Sequence, residues 1–452
     1  MQQPDTSYRA HARAVLALGL PLVGSNLAQV ALNVTDAVLL GWYSVTALAG
    51  VTLATSFYFI IFIIGAGCAW AVMPLVAAAA EAGDEVQARR VTRMGFWLVS
   101  AFGALAVLPL WHSGAIMLAI GQKPEVAQAA QDFLRIASFA MLPALLVTVL
   151  RSFLSALQRT SVLLWATVGA AFCNAGLGWV LIFGRFGLPA LGIKGAAIAT
   201  VTIQVLVLVV LAVYTARALP QYRLFQRLWR PDFGAMWAVA RMGGPIGLTS
   251  LAEGGLFNAS AVMMGWVGEV PLAAHGIAIQ LASLTFMFHL GMSQAATVRA
   301  GRALGRRDEA GLRRGGQVAT VISLCFALLT MAVFLAIPQV LVTLFVDSHE
   351  PARDALISAG VTLVAVAGLF QVVDAAQVMT LGLLRGVQDT SAPLGLAVIS
   401  YWLVGVPVSY VLGFHAGLGG VGIWLGLVTG LTVASALLMR RFWRRSVRIG
   451  IV

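Results

Sequence analysis

Three of the seventeen acidic residues in this 452-residue chain, Asp36, Glu253 and Asp374, fall well inside long apolar runs, with no Lys or Arg beside them at that depth. A charged side chain at the centre of a lipid-spanning helix costs roughly 2.5 to 3.5 kcal/mol on insertion scales, so such acids usually face an interior cavity and mark ion or proton pathways. Without a basic partner, a carboxyl there stays neutral until a cation arrives to balance its charge. Proton, Na⁺ and organic cation can then compete for one negative site.

The neighbouring residues extend this chemistry. Asn26, Gln29, Asn33 and Asp36 are spaced three, four and three apart, which places all four on one helical face; such a stripe is expected to line a wet cavity, the alternative being hydrogen bonding to a neighbouring helix. Thr249, Glu253, Phe257 and Ser260 form a second stripe, and Phe370, Gln371, Asp374 and Gln377 a more ragged third. Aromatic rings beside carboxylates suit lipophilic cations. His275 and His289 have no metal-site spacing, and no Walker loop, H-E-x-x-H or nucleophile elbow is present, so an ATPase or an intramembrane enzyme has no support. Cys68, Cys173 and Cys325 read as small core hydrophobes, and Gly243-x-x-x-Gly247 and Gly422-x-x-x-Gly426 as packing faces.

The elements that must carry these residues are set by composition: 60% hydrophobic, 10% charged, mean hydropathy +0.92. Lipid requires every backbone polar group to be paired internally, and runs this long satisfy that only as helices. Twelve spans are expected, at about 14–42, 47–80, 94–120, 132–156, 161–184, 190–216, 241–267, 271–300, 315–346, 355–384, 392–413 and 417–439. The first apolar run is polar-striped and lacks a cleavage site, so it reads as a retained span rather than a signal peptide.

The net charge of +12 follows membrane topology rather than nucleic-acid binding. With the N-terminus inside, 24 of the 29 Lys and Arg residues fall on the cytoplasmic side and only Lys123, Arg135, Arg185, Lys194 and Arg353 on the other. Both termini and the basic linker are therefore expected in the cytoplasm, and the 346–354 loop outside, where a cysteine at Ser348 should label. Arginines beside spans are read as fixing orientation rather than as a lipid site.

An internal repeat runs through the chain. Pro21 recurs as Pro245, Gly41–Trp42 as Gly265–Trp266, Asp84–Glu85 as Asp308–Glu309 and Arg89–Arg90 as Arg313–Arg314, all at offset 224. Gln158 and Thr160 recur as Gln388 and Thr390, and Gly187 as Gly417, at offset 230. This predicts an all-α integral membrane fold of two six-helix lobes related by a pseudo-twofold axis along the membrane normal. The expected boundaries are 1–216, a cytoplasmic linker at 217–240, and 241–452. The acids are not duplicated, since offset 224 maps Glu253 onto Gln29 and offset 230 maps Asp374 onto Ala144. Residues alone thus point to a two-carboxylate cation site in the second lobe and a separate acid in the first.

Three runs carry a resemblance over nearly the whole chain: Gly19–Leu20–Pro21 through Asp36, QVVDAAQ at 371–377 followed by Leu384–Arg385–Gly386 and Gln388–Asp389–Thr390, and YWLVGVP at 401–407. With these the chain resembles the multidrug and toxic compound extrusion family, in its bacterial NorM-like branch. The resemblance implies a twelve-helix transporter of the bacterial inner membrane that exports varied, mostly cationic, lipophilic compounds by alternating access in exchange for Na⁺ or H⁺. It implies coupling-cation binding by Glu253, Asp374 and Asp36, with Na⁺ a candidate at the first two, and a bend at Pro21. The expected substrate cavity comprises Gln29, Asn33, Asn174, Phe257, Phe286, Phe370 and Gln371. Relatives often carry a second Asn at Gly178, and some a Tyr at Phe370 or Phe286. No cofactor beyond the coupling ion is expected. The expected partners are organic cations and membrane lipid, with no nucleic acid, and the expected state is a monomer. The rival reading is a flippase for a lipid-linked precursor, whose cavity should offer cations to phosphates. A channel would show symmetric polar rings, and a receptor would need longer loops.

Overall fold

The computed structural model describes residues 7–187, 189–347 and 351–449. Ser348, the labelling position named above, lies outside them. Twelve long helices run through the described residues: α1 Tyr8–Tyr43, α2 Val45–Glu81, α3 Glu85–Trp111, α4 Pro124–Ala156, α5 Thr160–Phe183, α6 Ile193–Ala218, α7 Phe233–Val267, α8 Glu269–Arg306, α9 Glu309–Ala336, α10 Arg353–Gly386, α11 Ser391–His415 and α12 Gly419–Ser446. Eleven are long and apolar enough to cross a membrane. The exception, α7, is 35 residues long, and Glu253, Asn258 and its small polar residues lower its hydropathy. The chain is a multi-pass helical membrane protein, as composition required.

The repeat is visible in the helix ends. Asp84 and Asp308, 224 apart, each cap a helix, accepting from the amides of Gln87 and Gly311 at 2.8 Å. Gln158 and Gln388, 230 apart, each adopt a left-handed backbone (φ 60° and 62°) where a long helix stops. Short helices at Ser113–Ala119 and Pro338–Thr343 occupy matching places after α3 and α9.

The compact units are Gly24–Gly247 and Met1–Val23 with Leu248–Val452. The division falls inside α1 and α7, at positions again 224 apart, rather than in the 217–240 stretch expected to separate the lobes. Pro21 and Pro245 lie two residues before the breaks, and each deletes the helix bond to the carbonyl of Ala17 or Arg241. The first part of each repeat's opening helix thus packs with the other repeat's residues.

What permits this is glycine at the crossings. In one unit, a Cβ on Gly67 of α2 would lie 2.4 Å from the Gly243 carbonyl and 2.7 Å from the Gly247 Cα of α7. In the other, a Cβ on Gly291 of α8 would lie 2.6 Å from the Val23 nitrogen of α1. Gly67 and Gly291 are repeat equivalents, so the same close approach is built twice.

The linker is tied down rather than free. Arg90 on α3 pairs with Asp232, and this guanidinium holds the Asp232 carboxyl below the usual carboxylate range. A depressed carboxyl adds stability that is present at neutral pH and lost as pH falls through its folded value. Arg93 donates to the Leu224 and Arg223 carbonyls at 2.8 and 2.7 Å, and Trp97 Nε1 to that of Leu228 at 2.7 Å. At the far end, Arg441 makes two bonds to Asp389, at 2.7 and 3.0 Å, and Ser446 donates to the same carboxylate.

Candidate functional site

In the unit containing Leu248–Val452, α7, α10 and α11 bring two of the three acids together. Gln377 on α10 donates from Nε2 to Glu253 Oε1 on α7 at 3.2 Å and to Tyr401 Oη on α11 at 2.5 Å. Asp374, one turn earlier on α10, is buried at 2% exposure, and the Glu253 charge acts on it. The two carboxylates therefore repel when both are ionised, and one added positive charge relieves that repulsion.

Two amide groups there are short of partners. Gln371 is fully buried with neither its oxygen nor its nitrogen hydrogen-bonded, and the Gln377 oxygen is likewise bare. Buried polar atoms left unpaired cost about 1 to 3 kcal/mol each, so these oxygens are available to a cation or a ligand donor. Among the described residues no group of three or more His, Cys, Asp and Glu side chains gathers. A Na⁺ bound here would therefore be held by the two carboxylates with neutral oxygens from Gln371, Gln377 and Tyr401, a donor set suited to a hard cation.

Aromatic rings stand next to the acids. Phe257, one turn after Glu253, meets Phe370 at 5.8 Å between centroids, and Phe370 meets Trp424 of α12 at 5.6 Å. The Trp424 indole donates to His275 Nδ1 at 3.1 Å, which gives that buried histidine a packing role. Phe286, expected in the same cavity, is half-buried on α8 and takes no part in the ring contacts described here.

The local fold explains this convergence. Pro407 cannot donate to the Leu403 carbonyl, and just before it the helix widens to a π-turn over Ile399–Gly405. That turn presents Tyr401 inward, while Trp402 Nε1 donates to the Ala252 carbonyl at 3.2 Å. Gly255 admits the Trp402 ring, because a Cβ there would lie 2.7 Å from Cζ2.

Asp36 belongs to the other unit, where Asn174 Nδ2 of α5 donates to its Oδ1 at 2.5 Å. The Asn174 oxygen is buried and unpaired. Gly178, one turn further, faces Leu39, whose Cδ1 would lie 3.2 Å from a Cβ, so a longer side chain there needs Leu39 to move. Along the polar face of α1, Asn26 is buried with its amide nitrogen unpaired, Gln29 is half-buried and Asn33 exposed.

One basic residue amends the reading that no cation is near these acids, and a second lies inside the other unit. Arg385, expected at a helix end, is half-buried and its charge acts on Glu253. Arg151 of α4 donates to Ser25 at 3.0 Å, and Ser25 bonds Thr167 at 2.9 Å, which ties α1 to its unit just past Pro21. Gln377 stood in the third polar stripe, whereas Tyr401 and Trp424 were not singled out from residue spacing. A tyrosine inside an apolar span was the signal available.

The comparisons with known proteins agree with this architecture. The MatE family model matches residues 21–180 and 245–411, two segments that begin at the repeat-related prolines. A probable multidrug resistance protein NorM from Rhizobium meliloti is 44% identical over 447 residues, covering 98% of this chain and 96% of the relative. Its namesake from Agrobacterium fabrum is 43% identical, covering 96% and 94%. In fold, the chain is similar to an outward-facing multidrug resistance MATE family transporter of the MOP superfamily (TM-score 0.89, 21% identity, 98% and 97% coverage). It is equally similar to a MOP superfamily transporter from Pyrococcus furiosus whose binding pocket is described as reversed in polarity (TM-score 0.89, 20% identity, 98% and 97% coverage). Family match, near full-length relatives and fold together make this chain a member of the MatE family.

Proposed function

We propose that this protein is an efflux antiporter that exports varied, mostly cationic, lipophilic compounds in exchange for Na⁺ or H⁺ by alternating access. The observation that carries this is the Glu253–Gln377–Asp374 cluster, two acids with bare amide oxygens beside a Phe257–Phe370–Trp424 aromatic wall. The relatives' name, multidrug resistance protein, points to the same substrate range. Two carboxylates against the one guanidinium of Arg385, beside an aromatic wall, favour cations over phosphates, which disfavours the flippase reading. Asp36 with Asn174 supplies a second acidic position for ion or drug.

The direct test supplies an organic cation to the medium around inverted membrane vesicles and imposes outward Na⁺ and H⁺ gradients in turn. Uptake driven by either gradient supports antiport, and uptake driven by neither overturns it. In this reading the protein lies in the bacterial inner membrane as a monomer with both termini in the cytoplasm. A cysteine at Lys123 should then label with an impermeant reagent from outside, and labelling from inside alone would invert the orientation.

Pro21 stands two residues before the break in α1, where the helix lacks one bond. If α1 bends there during the cycle, Pro21→Ala lowers turnover several-fold while drug binding and expression stay near normal. Wild-type turnover in that variant would confine the proline to packing.

A further inference from the structure

Outside the acid clusters, the surface where α6 runs into the linker combines three features that no part of the transport reading uses. First, an open groove of about 610 Å³ lies along the end of α6, lined by Val209, Val210, Val213, Tyr214, Arg217 and Ala218. The three valines are 51%, 43% and 43% exposed, an apolar wall that ends in a phenol and a guanidinium. Second, the linker continues from this end with Arg223, Arg227 and Arg230, all exposed. Arg223 and Arg227 hold left-handed backbones (φ 43° and 55°), and the tethers from α3 keep the segment in place. The nearby acid, Asp232, is already taken by Arg90, and none of the ion pairs described involves Arg217 or these three arginines. Third, Trp229, Phe233 and Trp237, at the end of the same linker and the start of α7, stand 73%, 74% and 68% exposed. Large rings in that number are placed as an interfacial belt is, at headgroup level.

We propose that this surface is a binding site for an anionic phospholipid of the leaflet facing the arginine-rich helix ends. One acyl chain lies along Val209, Val210 and Val213, and the phosphate is taken by the Tyr214 hydroxyl and Arg217. The linker arginines add attraction for the net negative headgroup, and the exposed rings seat the segment at the interface. A zwitterionic lipid fits the groove but forgoes the added attraction, so the site discriminates by charge and not by chain.

Native mass spectrometry of the full-length protein in detergent, titrated with phosphatidylglycerol or phosphatidylcholine of identical chains, tests this. The expected result is preferential retention of phosphatidylglycerol. Arg217→Gln should weaken it about fivefold, the effect of one basic residue at an anionic surface. Val213→Trp fills the groove without changing charge and should remove bound lipid of both kinds. Arg223→Gln with Arg227→Gln should reduce phosphatidylglycerol alone. Equal retention of the two lipids would overturn the charge selectivity, and wild-type retention in Val213→Trp would reduce the site to diffuse surface attraction. Displacement of the lipid by millimolar glycerol phosphate would show that a soluble phosphate is the ligand and overturn the lipid assignment.

Discussion

Asp374→Asn and Glu253→Gln each reach the membrane, bind drug and lose gradient-driven efflux. Both substitutions keep side-chain shape and remove the titratable charge, so folding is spared while the charge difference between the empty and loaded site disappears. An antiporter must keep its ion-free and ion-loaded forms from behaving alike, and a ligand shifts such an equilibrium only by its differential affinity for the two forms. Here Asp374 and Glu253 act on each other electrostatically, and Gln377 holds Glu253 in place. In the proposed cycle a bound cation would interact with both carboxylates at once, and a cationic drug beside Phe257 and Phe370 would compete for the same charge. Linkage makes that antagonism reciprocal, and coupling energies of about 1 to 3 kcal/mol correspond to roughly 5- to 150-fold in affinity. The expected loss of cation-triggered drug release lies in that range, measured as fluorescent-drug dissociation on adding Na⁺ or acid. If both variants still release drug at wild-type cation concentrations, the coupling site lies elsewhere and Asp36, held by Asn174, takes its place.

The second large effect is on assembly. Gly67→Val, and its repeat equivalent Gly291→Val, should lower thermal stability and yield, because the new side chain meets backbone, alone at Gly67 and together with the Val23 side chain at Gly291. A Cβ on Gly67 would lie 2.4 Å from the Gly243 carbonyl and 2.6 Å from the Gly247 nitrogen. No rotamer relieves a clash with backbone, so the helices must separate and surrender packing along their length. Overpacking of this kind costs about 1 to 3 kcal/mol or more. At roughly 2 to 4 °C per kcal/mol for a unit of this size, the midpoint should fall by about 2 to 12 °C. Tryptophan fluorescence on heating the detergent-solubilised protein measures it. Gly169→Ala is the control, since no atom lies within 4 Å of its Cβ. A wild-type midpoint for Gly67→Val would mean that α2 and α7 do not approach this closely.

The residues alone determined a great deal. Lipid permits only internally paired backbone, so apolar runs had to be helices, and their number followed from length. Their ends did not: the helices expected at 94–120 and 315–346 begin at Glu85 and Glu309, directly after the Asp84 and Asp308 caps. The duplication was readable at offsets 224 and 230, and the acids were conspicuous because a carboxylate in a hydrocarbon setting is costly enough to be rare. Tertiary structure decided which of them meet. Helical periodicity gives the face on which Glu253, Asp374 and Gln377 lie, but not the depth at which α7 and α10 come level or that Tyr401 would close the cluster from a π-turn. It likewise placed Phe370 against Trp424, since ring contacts depend on packing between helices distant in sequence. The division of α1 and α7 between units was also beyond the sequence. A proline marks where a helix is weakened, whereas the packing partner on either side of it is chosen by the Gly67–Gly243 and Gly291–Val23 crossings, where missing side chains let backbones touch.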